Sequence, residues 1–176
     1  MLAKRVITTL TFNQGVLFRT RYFEPDYRYT KSFIDTWSVD EIIILDISRK
    51  YNKEIKKKFK KLIASFSENS FVPLTVGGKI KTLKDVSDLM NVGADKVSLN
   101  TKAIEDPSFI KEVSSRYGSQ AVVISIDVKK NGSKYEVYSN NGSNPTGLSP
   151  VEWAQECQKM GAGEILVTSI DRDGFL

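Results

Sequence analysis

Residues 121–130 read AVVISIDVKK, an apolar run that ends in the carboxylate of Asp127. The same arrangement recurs in IIILD (42–46), VSLN (97–100) and ILVTSID (165–171). A single aspartate after a strand is often only a turn former that bonds its own backbone. Four such runs instead predict strands that collect polar residues at one end of a sheet.

Stretches with helical periodicity separate these apolar runs. Residues 82–93 share an apolar face and end at a glycine that stops a helix; the face consists of Leu83, Val86, Leu89 and Met90. Residues 106–118 open with Asp-Pro and end at a glycine. Ser149, Pro150 and Glu152 open the next helix in a pattern that predicts a capping box.

This alternation predicts an α/β fold with parallel strands near 5–12, 41–46, 72–76, 96–100, 121–127 and 164–169. A doubly wound sheet and a (β/α)8 TIM-type barrel both fit it. The first strand lacks a glycine-rich dinucleotide fingerprint, and the polar ends are spread over all strands, which favours the barrel. The polar stretch 133–147 predicts a small hairpin inserted into this single domain, 1–176.

The length of the chain raises an expectation about its completeness. Barrels of this class usually need ~250 residues, whereas this chain has 176. We therefore expect a barrel truncated after the sixth of eight strands. Strands 1 and 6 would then be exposed edges, open to pairing with another chain.

Composition excludes several kinds of chemistry. The chain has no histidine, which removes Ser-His and Cys-His nucleophile pairs and histidine metal sites, and we predict no metal or cofactor. The single Cys157, the absence of a signal peptide and the absence of a long apolar run predict a cytoplasmic protein without a membrane span. Six lysines in 53–62 alternate with apolar residues, which favours a solvated helix face over a nucleic-acid patch.

Two neighbouring strand tips carry residues suited to an anion. Gly77 and Gly78 expose backbone N–H groups just before a predicted helix, and Asn100 and Thr101 follow the next strand. Together they predict a phosphate site. The tip SIDRDG (169–174) adds Asp173 and Gly174, which we expect to hold a second anionic group.

Several long motifs resemble the cyclase subunit of imidazole glycerol phosphate synthase, the HisF family. The resemblance covers nearly the whole chain and is carried by EIIILDI (41–47), PLTVGGKIKT (73–82), GADKVSLNT (93–101), SIDVKK (125–130) and GAGEILVTSIDRDG (161–174). It implies a (β/α)8 barrel that receives ammonia from a glutaminase docked under the barrel. It also implies a phosphorylated ribulosyl aminoimidazole substrate, and two catalytic aspartates at the tips of strands 1 and 5.

The resemblance assigns the strand-5 acid to Asp127 but finds no acid at strand 1. Thr11 stands at that position, and a hydroxyl titrates too high to replace a carboxylate. Arg19 matches a lysine of the family and cannot lose a proton. Lys79 replaces a third glycine of the phosphate loop, and the aromatic-rich loop 23–37 is also unusual.

Four charges at the opposite end of the strands match the ring that closes the family's ammonia entrance. They are Arg5, Glu41, Lys96 and Glu164, and each precedes or opens a strand. We predict that all four lie in one layer, in side-chain contact. An ordinary salt-bridged layer is the alternative, although buried charge pairs seldom improve on an apolar plug.

Three functions remain open at this point. The chain most resembles divergent relatives that accompany a glutaminase and a sugar amidotransferase in surface-polysaccharide biosynthesis, which implies an ammonia-accepting enzyme acting on a phosphorylated or nucleotide-linked substrate. It could instead be a working cyclase of histidine biosynthesis, a lyase-type enzyme. The third reading is a non-catalytic partner that only conducts ammonia.

Overall fold

The computed structural model of the chain describes residues 4–29 and 39–175. Within them the strands are β1 (Ile7–Asn13), β2 (Val16–Arg21), β3 (Glu24–Tyr29), β4 (Glu41–Asp46), β5 (Leu74–Gly77), β6 (Lys96–Leu99), β7 (Val122–Asn131), β8 (Lys134–Ser139), β9 (Asn144–Pro145) and β10 (Glu164–Ser169). The helices are α1 (Lys53–Asn69), α2 (Leu83–Met90), α3 (Thr101–Glu105), α4 (Ser108–Tyr117) and α5 (Pro150–Lys159).

Six of these strands form a parallel sheet in the order of the sequence. Strand β1 pairs with β4, which pairs with β5, then β6, β7 and β10. A doubly wound sheet reverses its strand order at a switch point, and this sheet does not. The fold is therefore of the (β/α) TIM-barrel type, as the sequence predicts.

The core lies between the outer face of the sheet and the helices. Phe12 of β1 packs against Phe59 of α1 with ring centroids 5.0 Å apart. Successive strand residues point to opposite sides of a sheet, so Thr11 faces the barrel interior. By the same alternation Ser98 and Asp127 face inward, because their strand neighbours are buried against the helices.

Capping groups fix where the helices begin. The Asn52 side chain accepts a hydrogen bond from the Ile55 amide at the start of α1. A reciprocal capping box opens α2, between Thr82 and Asp85. The box predicted at Ser149 is wrong: α5 does begin at Pro150, but the Ser149 side chain bonds no helix amide. The Ser-x-x-Glu pattern supplies suitable residue types without dictating the rotamer that closes the box.

A β-hairpin follows β1 where the sequence predicts a loop. Strand β2 runs antiparallel to β1, with Thr11 opposite Phe18, and β3 runs antiparallel to β2. Residues 30–37 of the aromatic-rich stretch lie outside the described residues. A second antiparallel extension is formed where β7 continues to Asn131 and returns as β8 and β9.

The two edge strands of the parallel sheet, β1 and β10, differ in whether another strand pairs with them. The expectation of a bare edge at strand 1 is wrong for its C-terminal half, because β2 pairs with Thr11, Phe12 and Asn13. On β10 the side chain of Val167 is 62% exposed. The described helices include none that is both long and apolar enough to cross a bilayer.

Candidate functional site

Four charged side chains form a closed ring at the N-terminal end of the parallel strands. Arg5 contacts Glu41 at 3.2 Å and Glu164 at 3.3 Å. Lys96 Nζ contacts the same two carboxylates, at 2.9 Å each. Each cation therefore bridges both acids, and the predicted contact between the four residues is confirmed.

The ring is buried unevenly. Glu41 is 1% exposed and its second oxygen accepts a 2.7 Å hydrogen bond from the Thr75 hydroxyl. Burial alone would raise the pKa of Glu164, but the hydrogen bonds and charges of Lys96 and Arg5 outweigh it and hold that pKa below its usual value. The ring thus favours the ionised form of Glu164.

Small hydroxyl side chains follow the ring along the inner face of the sheet. Thr75, Ser98 and Ser125 lie on the neighbouring strands β5, β6 and β7, and all three are buried. Thr75 bonds the ring through Glu41, and Ser125 bonds Asp127 at 3.2 Å. Among the described residues the Ser98 hydroxyl has no hydrogen-bond partner. A polar line therefore leads from the ring towards Asp127.

Asp127 lies at the C-terminal end of this line, on β7. Its carboxylate accepts hydrogen bonds from the Ser125 hydroxyl and from the Asn100 amide, the latter at 3.2 Å. Burial raises the pKa of Asp127 to about 6, opposed by Ser125 and supported by the negative charge of Asp173. A carboxylate with a pKa near neutrality can exchange protons with a substrate at physiological pH.

Thr11 cannot share that proton work with Asp127. Its hydroxyl donates a hydrogen bond to the backbone carbonyl of Phe18 on β2. The side chain is thus engaged with the hairpin. Arg19, which matches a lysine of the family, lies on β2 next to Phe18, and its side chain is exposed.

The glycines of the predicted phosphate loop are required by packing. A Cβ on Gly77 would lie 2.8 Å from Leu45 and Ser98, and one on Gly78 would lie 2.2 Å from the Asp46 carbonyl oxygen. Gly78 has φ +91° and Lys79 has φ +59°, so both have left-handed backbone conformations. This loop stays a predicted phosphate site, with the added finding that its backbone is pressed against β4.

Asn100 and Thr101, the other half of that prediction, are already bonded to β7 and to the turn after β8. The Asn100 amide also donates to the Ser125 carbonyl at 3.0 Å. The Thr101 hydroxyl accepts from the Asn140 amide at 3.0 Å. An anion here would share these donors with the protein.

Asp173 and Gly174 contact the first hairpin. The Asp173 carboxylate accepts from the Thr20 hydroxyl at 3.0 Å and from the Phe23 amide at 2.9 Å. A Cβ on Gly174 would lie 2.5 Å from the Thr20 carbonyl oxygen. These contacts were not predicted from the sequence, because the hairpin was not identified in it. The signal for it was the turn at Gln14 and Gly15, which joins β1 to β2. Among the described residues no acidic cluster suited to a metal ion occurs.

Comparison with known proteins gives a consistent result. A family model described as "Histidine biosynthesis protein" matches residues 9–176. The imidazole glycerol phosphate synthase subunit HisF of Chloroherpeton thalassium is 42% identical over 179 residues, covering 99% of this chain and 70% of the relative. The HisF subunit of Dictyoglomus thermophilum is 43% identical, covering 100% and 71%. That of Pyrococcus furiosus is 39% identical, covering 99% and 70%.

Proposed function

The chain belongs to the histidine biosynthesis protein family, and we propose that it is a HisF-like synthase subunit that receives ammonia from a glutaminase at its charged ring. The ammonia then passes along the barrel interior to an acceptor held beside Asp127. The observation that carries this proposal is the closed ring of Arg5, Glu41, Lys96 and Glu164.

The free-energy cost of burying charges indicates that the ring has a role beyond stabilising the fold. Desolvating charges costs several kcal/mol per ion, roughly, and a hydrophobic replacement is often as stable. Glu41 is nevertheless buried in the interior, where it bonds two cations and the Thr75 hydroxyl. A ring that can exchange partners among four groups can open without leaving any charge unpaired, which suits a gate for a small neutral molecule.

The end of the barrel that carries the ring also offers a surface for a partner. A groove of about 540 Å³ runs beside Phe71, Pro73, Met90 and Asp95, all close to the N-terminal ends of β5 and β6. Phe71 is 86% exposed. An exposed aromatic side chain beside a groove is typical of protein interfaces. We therefore place the glutaminase on this end of the molecule.

At the other end, Asp127 is the residue suited to chemistry. Ammonia would attack a carbonyl carbon of the acceptor through its lone pair. As the C–N bond forms, the C=O π electrons move to the oxygen, and the nitrogen then carries an extra proton. Asp127, with a pKa raised to about 6 by burial, accepts that proton as a general base. The phosphate or nucleotide of the acceptor would lie near Gly77, Gly78, Asn100 and Thr101.

We further propose that the acceptor is not the ribulosyl substrate of histidine biosynthesis but a sugar precursor of a surface polysaccharide. Thr11 supports this, because its hydroxyl is bonded to Phe18 and no second carboxylate stands at that position. A sugar amidotransferase would then be the next partner. The high identity to HisF subunits supports the second candidate, a cyclase of histidine biosynthesis.

Transfer of labelled nitrogen tests the ammonia route. The protein is assembled with the glutaminase of a related synthase and supplied with glutamine labelled with ¹⁵N at the amide. We expect Lys96→Met to change the fraction of label that is retained by the complex rather than released to solvent. Lys102→Met is the matched control, since Lys102 on helix α3 pairs with Asp106 and Phe109 and contacts no member of the ring. Equal release from both variants and the parent would refute the gate.

A further inference from the structure

The turn of the β2–β3 hairpin has an unusual backbone. Tyr22 and Phe23 have φ +53° and φ +63°, the left-handed region that bulky side chains rarely adopt. Two-residue hairpin turns of this kind usually contain Asn and Gly. The conformation therefore costs free energy, and contacts elsewhere must hold it.

Those contacts come from the loop after β10, about 150 residues further along the chain. The Asp173 carbonyl accepts from the Tyr22 amide at 3.2 Å, and its carboxylate accepts from the Phe23 amide and the Thr20 hydroxyl. One residue thus bonds three groups along the turn, on Thr20, Tyr22 and Phe23.

Aromatic and close-packed contacts reinforce this attachment. The ring of Phe175 lies edge-on to Tyr22 at 4.9 Å and below the Arg21 guanidinium at 4.7 Å. Phe23 packs so close to Gly142 that a Cβ there would lie 2.9 Å from its ring. The turn of the hairpin therefore meets two separate loops.

The other end of β2 is fixed by Thr11. Its hydroxyl donates to the Phe18 carbonyl, directly across the β1–β2 ladder. A serine could make this bond. An aspartate, ionised at neutral pH, has no proton to donate and would face the carbonyl oxygen with a negative charge.

We propose that Thr11 and Asp173 are positioning residues that hold the β2–β3 hairpin as a fixed bridge between the first and sixth parallel strands, forming one wall of the barrel mouth. The residue that replaces the family's strand-1 acid thereby has a structural task. The negative charge of Asp173 also contributes to the raised pKa of Asp127. The inference does not depend on the acceptor or on ammonia transfer.

Hydrogen exchange of individual amides tests the bridge without any ligand. Native-state exchange is measured by NMR for the Tyr22 and Phe23 amides, which bond Asp173, and for the Ile42 amide, which bonds Pro73 at the opposite end of the barrel. The variants are Asp173→Ala, Thr11→Val and Thr11→Ser. Asp171→Ala is the matched control, because Asp171 lies in the same loop and accepts instead from the Lys130 amide at 2.8 Å.

We expect Asp173→Ala and Thr11→Val to speed exchange at Tyr22 and Phe23 by about tenfold or more while Ile42 is unchanged. Thr11→Ser and Asp171→Ala should leave both turn amides as in the parent. Unchanged exchange in Asp173→Ala, or equal acceleration at Ile42, would overturn the role of Asp173. If Thr11→Ser exchanged the Tyr22 and Phe23 amides faster than the parent protein, the role of Thr11 would be overturned.

Discussion

At the scale of single residues, the environment of Asp127 determines what it can do. The neighbours of Asp127 along β7 are buried against the helices, so its carboxylate lies on the inner face of the sheet, where Ser125 and Asn100 are its hydrogen-bond donors. The sequence identified this residue from the end of an apolar run. It could not give the raised pKa, because that depends on burial and on Asp173, which lies 46 residues further along the chain.

The raised pKa of Asp127 has a consequence for stability. A carboxyl group with a folded pKa of about 6 and an ordinary pKa of 3.8 destabilises the folded state as pH rises between those values. Replacing Asp127 with Asn should therefore raise the free energy of unfolding at pH 7 by up to about 3 kcal/mol. Below about pH 4 the gain should vanish, because both states are then protonated. Urea unfolding at several pH values measures this, and a gain independent of pH would contradict it.

Thr11 allows a direct test of the lost acid. A positioned general acid or base typically contributes 10²–10⁴-fold to a rate, on the order of 3–5 kcal/mol of barrier. We expect the natural gene for this sequence, expressed with a glutaminase, not to restore growth of a histidine auxotroph that lacks its own cyclase. The Thr11→Asp variant is tested in parallel. Growth with Thr11 intact would show that the chain is a cyclase of histidine biosynthesis, whereas growth only with Thr11→Asp would support the lost acid.

At the scale of elements, the sequence predicted the strands and helices that pack on one another. The run Ile42–Ile44 is continuously apolar, and Val122–Ile126 is interrupted by the small Ser125 alone, which is typical of strands buried on both faces. The hairpin at 16–29 was missed because its turn lacks glycine and asparagine, and because its anchor, Asp173, is distant in sequence.

The turn after β5 lies close to the end of β4, and this contact can be tested by mutation. Gly78 has φ +91°, and a Cβ there would lie 2.2 Å from the Asp46 carbonyl oxygen. Gly147 has φ +75° but no atom within 4 Å of its Cβ position. We expect Gly78→Ala to lower the free energy of unfolding by roughly 2 kcal/mol more than Gly147→Ala, because only the first adds a clash to the backbone strain. Equal losses in thermal or urea unfolding would contradict the close approach of β4 and this loop.

At the scale of the whole molecule, the ring joins strands from both ends of the parallel sheet. Arg5 precedes the first strand and Glu164 opens the sixth, yet their side chains touch. The sheet must therefore curve round so that its ends approach, as a barrel requires. The sequence predicted this contact through the family resemblance. Burial and the Thr75 bond could not be anticipated, because they depend on that curvature.

The last prediction concerns Lys96, which bonds both acids of the ring. Replacing it with alanine leaves Glu41, 1% exposed, with the half-exposed Arg5 as its remaining cation in the ring. Removing one partner of a buried ion pair typically costs about 3–5 kcal/mol, mostly because the other charge stays buried. We expect Lys96→Ala to lose about that much unfolding free energy at pH 7. Lys84→Ala, which breaks an exposed pair with Asp88, should cost no more than about 1 kcal/mol.

The loss in Lys96→Ala should also shrink on acidification. Lys96 contributes to holding the pKa of Glu164 below its usual value, so the stability that this ion pair supplies is present above the ordinary glutamate pKa and disappears as pH falls through the lowered one. Urea unfolding at about pH 7 and about pH 3 measures the difference. A loss of the same size at both pH values would show that Lys96 acts through the packing of its side chain rather than through the charges of the ring.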